Sequence, residues 1–216
     1  KKDTKIAGGG NLILGSESFK NAELKGNTGD GSSITYELTG GATMANTNSN
    51  RYFRWTTVGA YVAKGVTLCL SVMYKPVSGA DEFCMEIAYT AGYSTSQSWA
   101  TIKPTDQLEI EQTDGWVLRY GLWTPPDNAT LKLVDMGSGT THAGTGNYTN
   151  KFSLLHPMLQ YGNAPTAWTA SSGDYITEET AKSLISQSAN EIKTEVSSLK
   201  ETTTTISNDL NSTKKE

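Results

Sequence analysis

The sequence predicts a mainly β chain, a two-sheet antiparallel β-sandwich followed by a C-terminal α-helix that forms a coiled coil. Three observations carry this. Between Asn11 and Thr169, apolar residues alternate with a period of two, in short runs separated by Gly, Pro, Asn and Asp clusters. No helical pattern of useful length interrupts those runs. From Ile185 onward the spacing becomes alternating fours and threes, through Ala189, Ile192, Val196, Leu199, Thr203, Ile206 and Leu210. That is the seam of a coiled coil rather than the face of a globular helix.

Residues 1–10 are read as a leader and 11–170 as the sandwich. Strand-like runs rich in β-branched and aromatic residues fall at Ser33 to Thr39, Arg51 to Val58, Val66 to Tyr74, Glu82 to Thr90, Trp99 to Ile102, Gln107 to Glu111, Gly115 to Thr124, Ala129 to Met136 and Lys151 to Tyr161. Turn chemistry separates them at Lys25 to Gly31, Val77 to Ala80, Thr113 to Gly115, Pro125 to Asn128 and Gly137 to Gly139. Strands this short, with turns at this spacing, point to a jelly roll. The expected core draws on Ile34, Tyr36, Leu38, Phe53, Leu68, Leu70, Val72, Phe83, Met85, Ile87, Trp116, Leu118, Leu131, Leu133, Leu154 and Met158. Cys69 alternates with Leu68 and Leu70 inside one run and Cys84 lies in another, so both are expected as free thiols.

Residues 171–176 read as a linker and 177–216 as the helix. Thr177 is placed to cap it, Glu178 and Glu179 suit its first turn, Ile176 can staple onto Ala181, and Lys214 and Lys215 suit its last turn. A continuous helix over 177–213 makes a rod of roughly 55 Å. Ala189 and Thr203 bury little at the seam, and Thr202 to Thr205 are poor helix formers. A single amphipathic helix folding back on the sandwich is the other reading of the same pattern.

The 216 residues carry a net charge of only −4 and no dense Lys/Arg patch, which excludes a nucleic-acid footprint. No apolar run is long enough to span a bilayer. Because the chain starts at Lys1 without methionine and stops within the heptad pattern, it reads as a fragment of a longer protein. No cofactor or zinc is expected, since His142 and His156 are far apart and lack ligand-spaced neighbours. No nucleophile elbow, metal-binding helix or phosphate loop occurs, and the pairs Glu82/Glu86 and Glu109/Glu111 read as solvated strand faces. The expectation is a protein that is not an enzyme.

The opening Asn11-Leu12-Ile13-Leu14-Gly15-Ser16-Glu17-Ser18-Phe19 resembles that of carbohydrate-binding jelly-roll modules in tail proteins of phages and prophages of Gram-positive bacteria. The close, Leu155 through Gln160-Tyr161-Gly162-Asn163-Ala164-Pro165-Thr166-Ala167-Trp168-Thr169, resembles the last strand and exit of the same modules. The Ser/Thr-rich helix is similar to those of tail-tip and tail-spike proteins. One departure is that no Trp occurs before Trp55, where the family often carries one soon after the Asn-Leu motif. The resemblance implies a virion tail module that binds bacterial cell-wall or capsular polysaccharide, forms a homotrimer through 177–213 and contacts other tail proteins. A spacer and trimerisation unit without its own ligand, or an accessory module of a secreted bacterial enzyme or adhesin, are the alternatives. It also implies a structural calcium, for which Glu17, Asp30 and Asp135 are the candidate ligands, without a dense Asp-x-Asp run to support them.

Sugars stack their C–H faces on aromatic rings while amides, carboxylates and Arg read the hydroxyls. Tyr93, Gln97 and Trp99 sit among small polar residues in the stretch 91–99, although Trp99 can equally open the next strand. Tyr52, Arg54 and Arg119 make a second candidate set, an outward groove suited to an acidic or hydroxyl-rich glycan. The Gly-rich loop 137–150 with His142, Asn147 and Tyr148 is a third. If successive strands alternate direction, the loops at 91–98 and 137–150 leave opposite ends of the sandwich.

Overall fold

The computed structural model describes residues 10–27, 29, 31–139, 146–171 and 192–208. Eleven strands follow in chain order: β1 Glu23–Asn27, β2 Ser33–Tyr36, β3 Ala42–Thr56, β4 Tyr61–Val62, β5 Leu68–Gly79, β6 Phe83–Ala91, β7 Gln97–Ile102, β8 Leu108–Glu111, β9 Val117–Trp123, β10 Ala129–Ser138 and β11 Tyr148–Tyr161. Every pairing between them is antiparallel.

One strand makes the two layers continuous. The first half of β3 pairs with β2 and β11, and its second half with β1 and β10. One layer is therefore β2, β3, β11, β5, β9 and β8, and the other β1, β3, β10, β6 and β7, with β4 beside β10. A strand that passes from one sheet to another must bend. Asn48 provides the bend at φ 48°, in the left-handed region that Asn tolerates better than most residues. The sequence around it, Asn46-Thr47-Asn48-Ser49-Asn50, lacks the apolar alternation of a strand and supplies a buried polar cluster instead. Asn46 Nδ2 donates to Asn150 Oδ1 at 2.9 Å, Ser49 Oγ to Asn46 Oδ1 at 3.2 Å, and Asn150 Nδ2 to Ser138 Oγ at 2.9 Å. Polar groups at a corner between sheets are satisfied by each other where neither ladder reaches them.

The inner faces of both layers form one core. Phe19 meets Phe53 and Trp55 edge-on, with ring centroids 4.9 and 5.0 Å apart. Phe83 of one layer packs against Phe152 of the other at 5.5 Å, and Tyr89 against Trp123 at 4.6 Å. Most of the expected core is buried there, Met158 is buried instead on the outer side of β11, and six residues, the half-buried Ile34 among them, are not buried. Leu38 is fully exposed and Tyr36 partly so, because the turn at 37–40 leads away from the core. Trp116 and Leu118 are half-buried, and Leu118 stands on the outer side of β9. Leu133 is turned outward by a bulge between Leu131 and Leu133, so that Val134 and Met136 are buried in its place. An extra residue in a strand exchanges its faces.

A second bulge ties the chain ends. Register shifts between Leu155 and Met158 of β11, where His156 adopts φ 57° and Pro157 has no N–H to give a ladder. The freed Pro157 carbonyl accepts from Asn11 Nδ2 at 2.9 Å and from Trp168 Nε1 at 3.1 Å. Asn11 Oδ1 accepts from the backbone N–H groups of Ile13 and Leu159, both at 3.1 Å. The Asn of the opening motif thus joins the entry and the exit of the sandwich to its central strand.

The chain divides into two compact units, 1–174 and 175–216. In the second, residues 192–208 are helical, and Ile192, Val196, Leu199 and Ile206 are exposed. Thr202, Thr203, Thr204 and Thr205 each donate to the carbonyl four residues earlier, at 2.8 to 3.1 Å. The hydroxyls are thereby satisfied within the helix, and Thr203 can present its methyl group to a seam. The expected cap at Thr177, the staple of Ile176 onto Ala181, the seam positions Ile185, Ala189 and Leu210, and the terminal Lys214 and Lys215 lie outside the described residues.

Candidate functional site

Strand alternation sorts the side chains of β1, β3, β10, β6 and β7 into an inner set, which fills the core, and an outer set. Across the outer face one row in register reads Glu23, Arg54, Asp135, Glu86 and Thr101. Beside it on one side run Lys25, Tyr52, Gly137 and Cys84, and on the other Thr56, Leu133, Ala88 and Trp99. Thr90 and Gln97 continue the face toward its end.

Arg54 and Asp135 form a two-pronged ion pair, with Nε to Oδ1 at 2.8 Å and Nη2 to Oδ2 at 2.7 Å. The hydrogen bond to Asp135 holds the guanidinium pKa above its ordinary value, against a smaller opposing effect of burial. Thr101 Oγ1 donates to Glu86 Oε1 at 3.0 Å. β10 and β6 separate Arg54 from Trp99 in the sheet, yet the guanidinium carbon lies 5.3 Å from the Trp99 ring centroid and 5.6 Å from that of Tyr52. Both side chains therefore reach over the two middle strands, where Gly137 and Ala88 offer little bulk. Gly137 has no alternative, since a Cβ there would come within 2.4 Å of the Arg51 carbonyl oxygen. Beneath this layer Asp135, Glu86 and Ala88 are wholly buried, while Trp99 stays half-exposed. Burial, followed by the nearby Glu86 and Glu82, pushes the Cys84 thiol up to about 12, so it is not a nucleophile at neutral pH.

Four of the six candidate residues, Tyr52, Arg54, Gln97 and Trp99, stand on this one face. Tyr93 does not join them, because it is fully exposed in the turn between β6 and β7. Arg119 is a correction: it faces inward and is 5% exposed. Its guanidinium carbon lies 3.9 Å from the Tyr74 ring centroid, Nη1 donates to Asp81 at 2.8 Å, and Nε donates to Glu109 at 2.8 Å. It closes one end of the core and is unavailable to an outward groove. Trp55 is 2% exposed and Trp123 packs inward on Tyr89, so Trp99 is what remains of those three indoles for a ligand.

Two of the three calcium candidates are engaged elsewhere. Asp135 is engaged by Arg54, Glu17 bonds the Asn21 side chain, and Asp30 lies outside the described residues. Among the described residues no group of three acidic, His or Cys side chains could hold a metal ion. Of the carboxylate pairs, Glu109 is joined to Arg119 and Glu86 lies under the Arg54–Trp99 layer, so neither pair flanks a cleft. In the loop 137–150, Tyr148 opens β11 and His142 lies outside the described residues. The register sets the start of β6 beside the end of β10, so the 91–98 turn and that loop do leave opposite ends.

The sequence reading places Glu86 on a solvated strand face and Asp135 in a calcium site, whereas both are wholly buried beneath the Arg54–Trp99 layer. Each is one acid inside an apolar run, Met85-Glu86-Ile87 and Val134-Asp135-Met136, and that interruption is the signal that marks them.

No family model matches the chain, and no curated protein does. Among solved structures it is similar to carbohydrate-binding jelly-roll domains. The xylan-binding CBM22-1 domain of Paenibacillus barcinonensis Xyn10C is 15% identical with a TM-score of 0.38, covering 74% of this chain and 100% of that one. The family 11 carbohydrate-binding module of Clostridium thermocellum, in complex with a β-1,3-1,4-mixed-linked tetrasaccharide, is 14% identical with a TM-score of 0.37, covering 73% and 98%. The enzymatically active domain of bacteriophage CBA120 tailspike protein 4 is 12% identical with a TM-score of 0.44 over 70% of this chain, which spans 21% of the tailspike chain. The match to the CBM22-1-GH10 modules of Clostridium thermocellum xylanase 10B likewise spans only 29% of that chain.

Proposed function

We propose that the β-sandwich is a non-catalytic module that binds glycan on the outer face of β1, β3, β10, β6 and β7. The observation that carries this reading is Trp99. Its ring is half-exposed, braced by Arg54, and flanked on the same face by Thr101, Thr56 and Gln97, which can exchange hydrogen bonds with sugar hydroxyls. A pyranose needs that combination of a ring to stack on and hydroxyl partners around it. The helix extends the proposal. Its exposed Ile192, Val196, Leu199 and Ile206 suit a parallel homotrimer, and three copies of a shallow site raise avidity by about a hundredfold without new contacts. The setting proposed is a phage or prophage tail, with cell-wall or capsular polysaccharide of a Gram-positive host as the ligand. No described helix is long and apolar enough to cross a membrane.

The test is a screen of the full chain, residues 1–175 and Trp99→Ala against bacterial surface polysaccharides, with sedimentation to count the copies. The expected result is binding that weakens in residues 1–175 through lost avidity and weakens further in Trp99→Ala. Absence of binding to every polymer leaves a spacer, and a monomeric full chain removes the trimer.

A further inference from the structure

The charges of the outer face around Trp99 are balanced, and its central cation is already engaged. Arg54 gives Nε and Nη2 to the two oxygens of Asp135, the fork-to-fork geometry that an Arg would otherwise offer to a ligand carboxylate or phosphate. Lys25 is likewise paired with Glu23 at the rim. Continuing the strand alternation, Glu82 and Lys103 stand at one end of the face, and Lys132 beside the β10 bulge at the other. Counting Glu86, the face sets four carboxylates, Glu23, Glu82, Glu86 and Asp135, against four cations, Lys25, Arg54, Lys103 and Lys132.

We infer that this face selects neutral, hydroxyl-rich polysaccharide and discriminates against anionic glycan, because Asp135 holds the guanidinium beside Trp99 that an anionic sugar would need. The inference rests on the glycan-binding reading of the same face. Asp135 is a positioning residue here. It fixes Arg54 as a rigid brace between Tyr52 and Trp99 and cancels its charge toward solvent. A ligand held by stacking and by neutral hydrogen bonds is insensitive to salt, whereas one held by ion pairs is released by it.

The experiment compares the full-length chain with Asp135→Asn on an array of neutral and anionic polysaccharides, at about 50 mM and about 500 mM salt. The wild type is expected to bind neutral polymers at least about tenfold more tightly than anionic ones, with little change in salt. Asp135→Asn keeps the volume of the side chain, frees the guanidinium and is expected to gain anionic polymers at low salt that high salt removes. Thermal unfolding and near-ultraviolet circular dichroism establish that the variant is folded. If the variant is unfolded, the double variant Arg54→Gln/Asp135→Asn, which removes both charges of the pair, takes its place and is expected to weaken neutral binding without admitting anions, and anionic polymers bound by it would overturn the role given to the pair. Wild-type binding that is anionic and salt-sensitive overturns the inference and leaves the glycan reading intact. Binding to neither class overturns both. A folded Asp135→Asn that admits no anionic polymer overturns the role given to Asp135.

Discussion

On the outer face of β5, β9 and β11, Trp168 stacks on His156 with centroids 4.6 Å apart and planes 17° from parallel, and its indole N–H is spent on the Pro157 carbonyl. On the outer face of β3, β10, β6 and β7, Trp99 is half-exposed and Arg54 braces it from the side. The first face is closed by the exit of the chain. Thr166 donates to Gln160, Gln160 donates to the Ala164 carbonyl, and a pocket of about 190 Å³ beneath the exit is lined by Met73, Leu118, His156, Met158 and Trp168. The second face pairs Arg54 with Asp135 and Lys25 with Glu23, and its Trp99 ring stays half-exposed. The same residue type is therefore tied to the backbone through its indole N–H on one face and braced by a guanidinium on the other, where the proposed recognition would use it.

That contrast can be broken from either side. Arg54→Met should have the largest effect, because it leaves the wholly buried Asp135 without its cation. A loss of about 3 kcal/mol is expected in urea unfolding, and a loss below about 0.5 kcal/mol would mean the pair is not the brace described here. Asn11→Ala acts on the closed face, removing the acceptor shared by two backbone N–H groups and one donor to Pro157. It should cost about 2 to 3 kcal/mol while glycan affinity of the folded fraction stays unchanged. Equal losses of affinity and stability would show that the two faces are coupled. Trp99→Ala should behave oppositely, with affinity falling about tenfold and stability by less than about 1 kcal/mol.

Smaller still is a pH effect on the closed face. Burial lowers the His156 pKa below its unfolded value, so the unfolded chain takes up a proton that the folded chain resists. The stabilisation is complete above the unfolded pKa and is lost as pH falls toward and through the folded one. The unfolding midpoint should fall on acidification from neutral pH. His156→Asn, whose side chain tolerates the same positive φ, should reduce that slope, and an unchanged slope would assign it to other groups. Last, burial raises both cysteine thiols to about 12, so iodoacetamide at pH 8 should label neither Cys69 nor Cys84 until the protein unfolds. Labelling of Cys84 alone in the folded state would mean that the open face breathes.

The two layers were legible in sequence wherever one face was apolar and the other polar, as along Leu68-Cys69-Leu70-Ser71-Val72. They were obscure where the chain changes layers, because Asn46 to Asn50 pair as strand without burying apolar side chains. Tyr52, Arg54, Gln97 and Trp99 could each be picked out by residue type. That they share a face could not, because it depends on β10 and β6 lying between β3 and β7 in the sheet.

By itself the sequence determined the antiparallel β class, the switch to helical spacing near the end and the two separate thiols. Periodicity of side chains along a strand or helix is a local property, set by backbone geometry. Only the tertiary structure decided which way Leu133 and Arg119 point, which Trp is displayed and which acid neutralises Arg54. A bulge reverses the faces of a strand after one extra residue, and partners such as Arg54 and Asp135 are 81 positions apart. No local pattern carries that information, since it arises from the order in which strands pair.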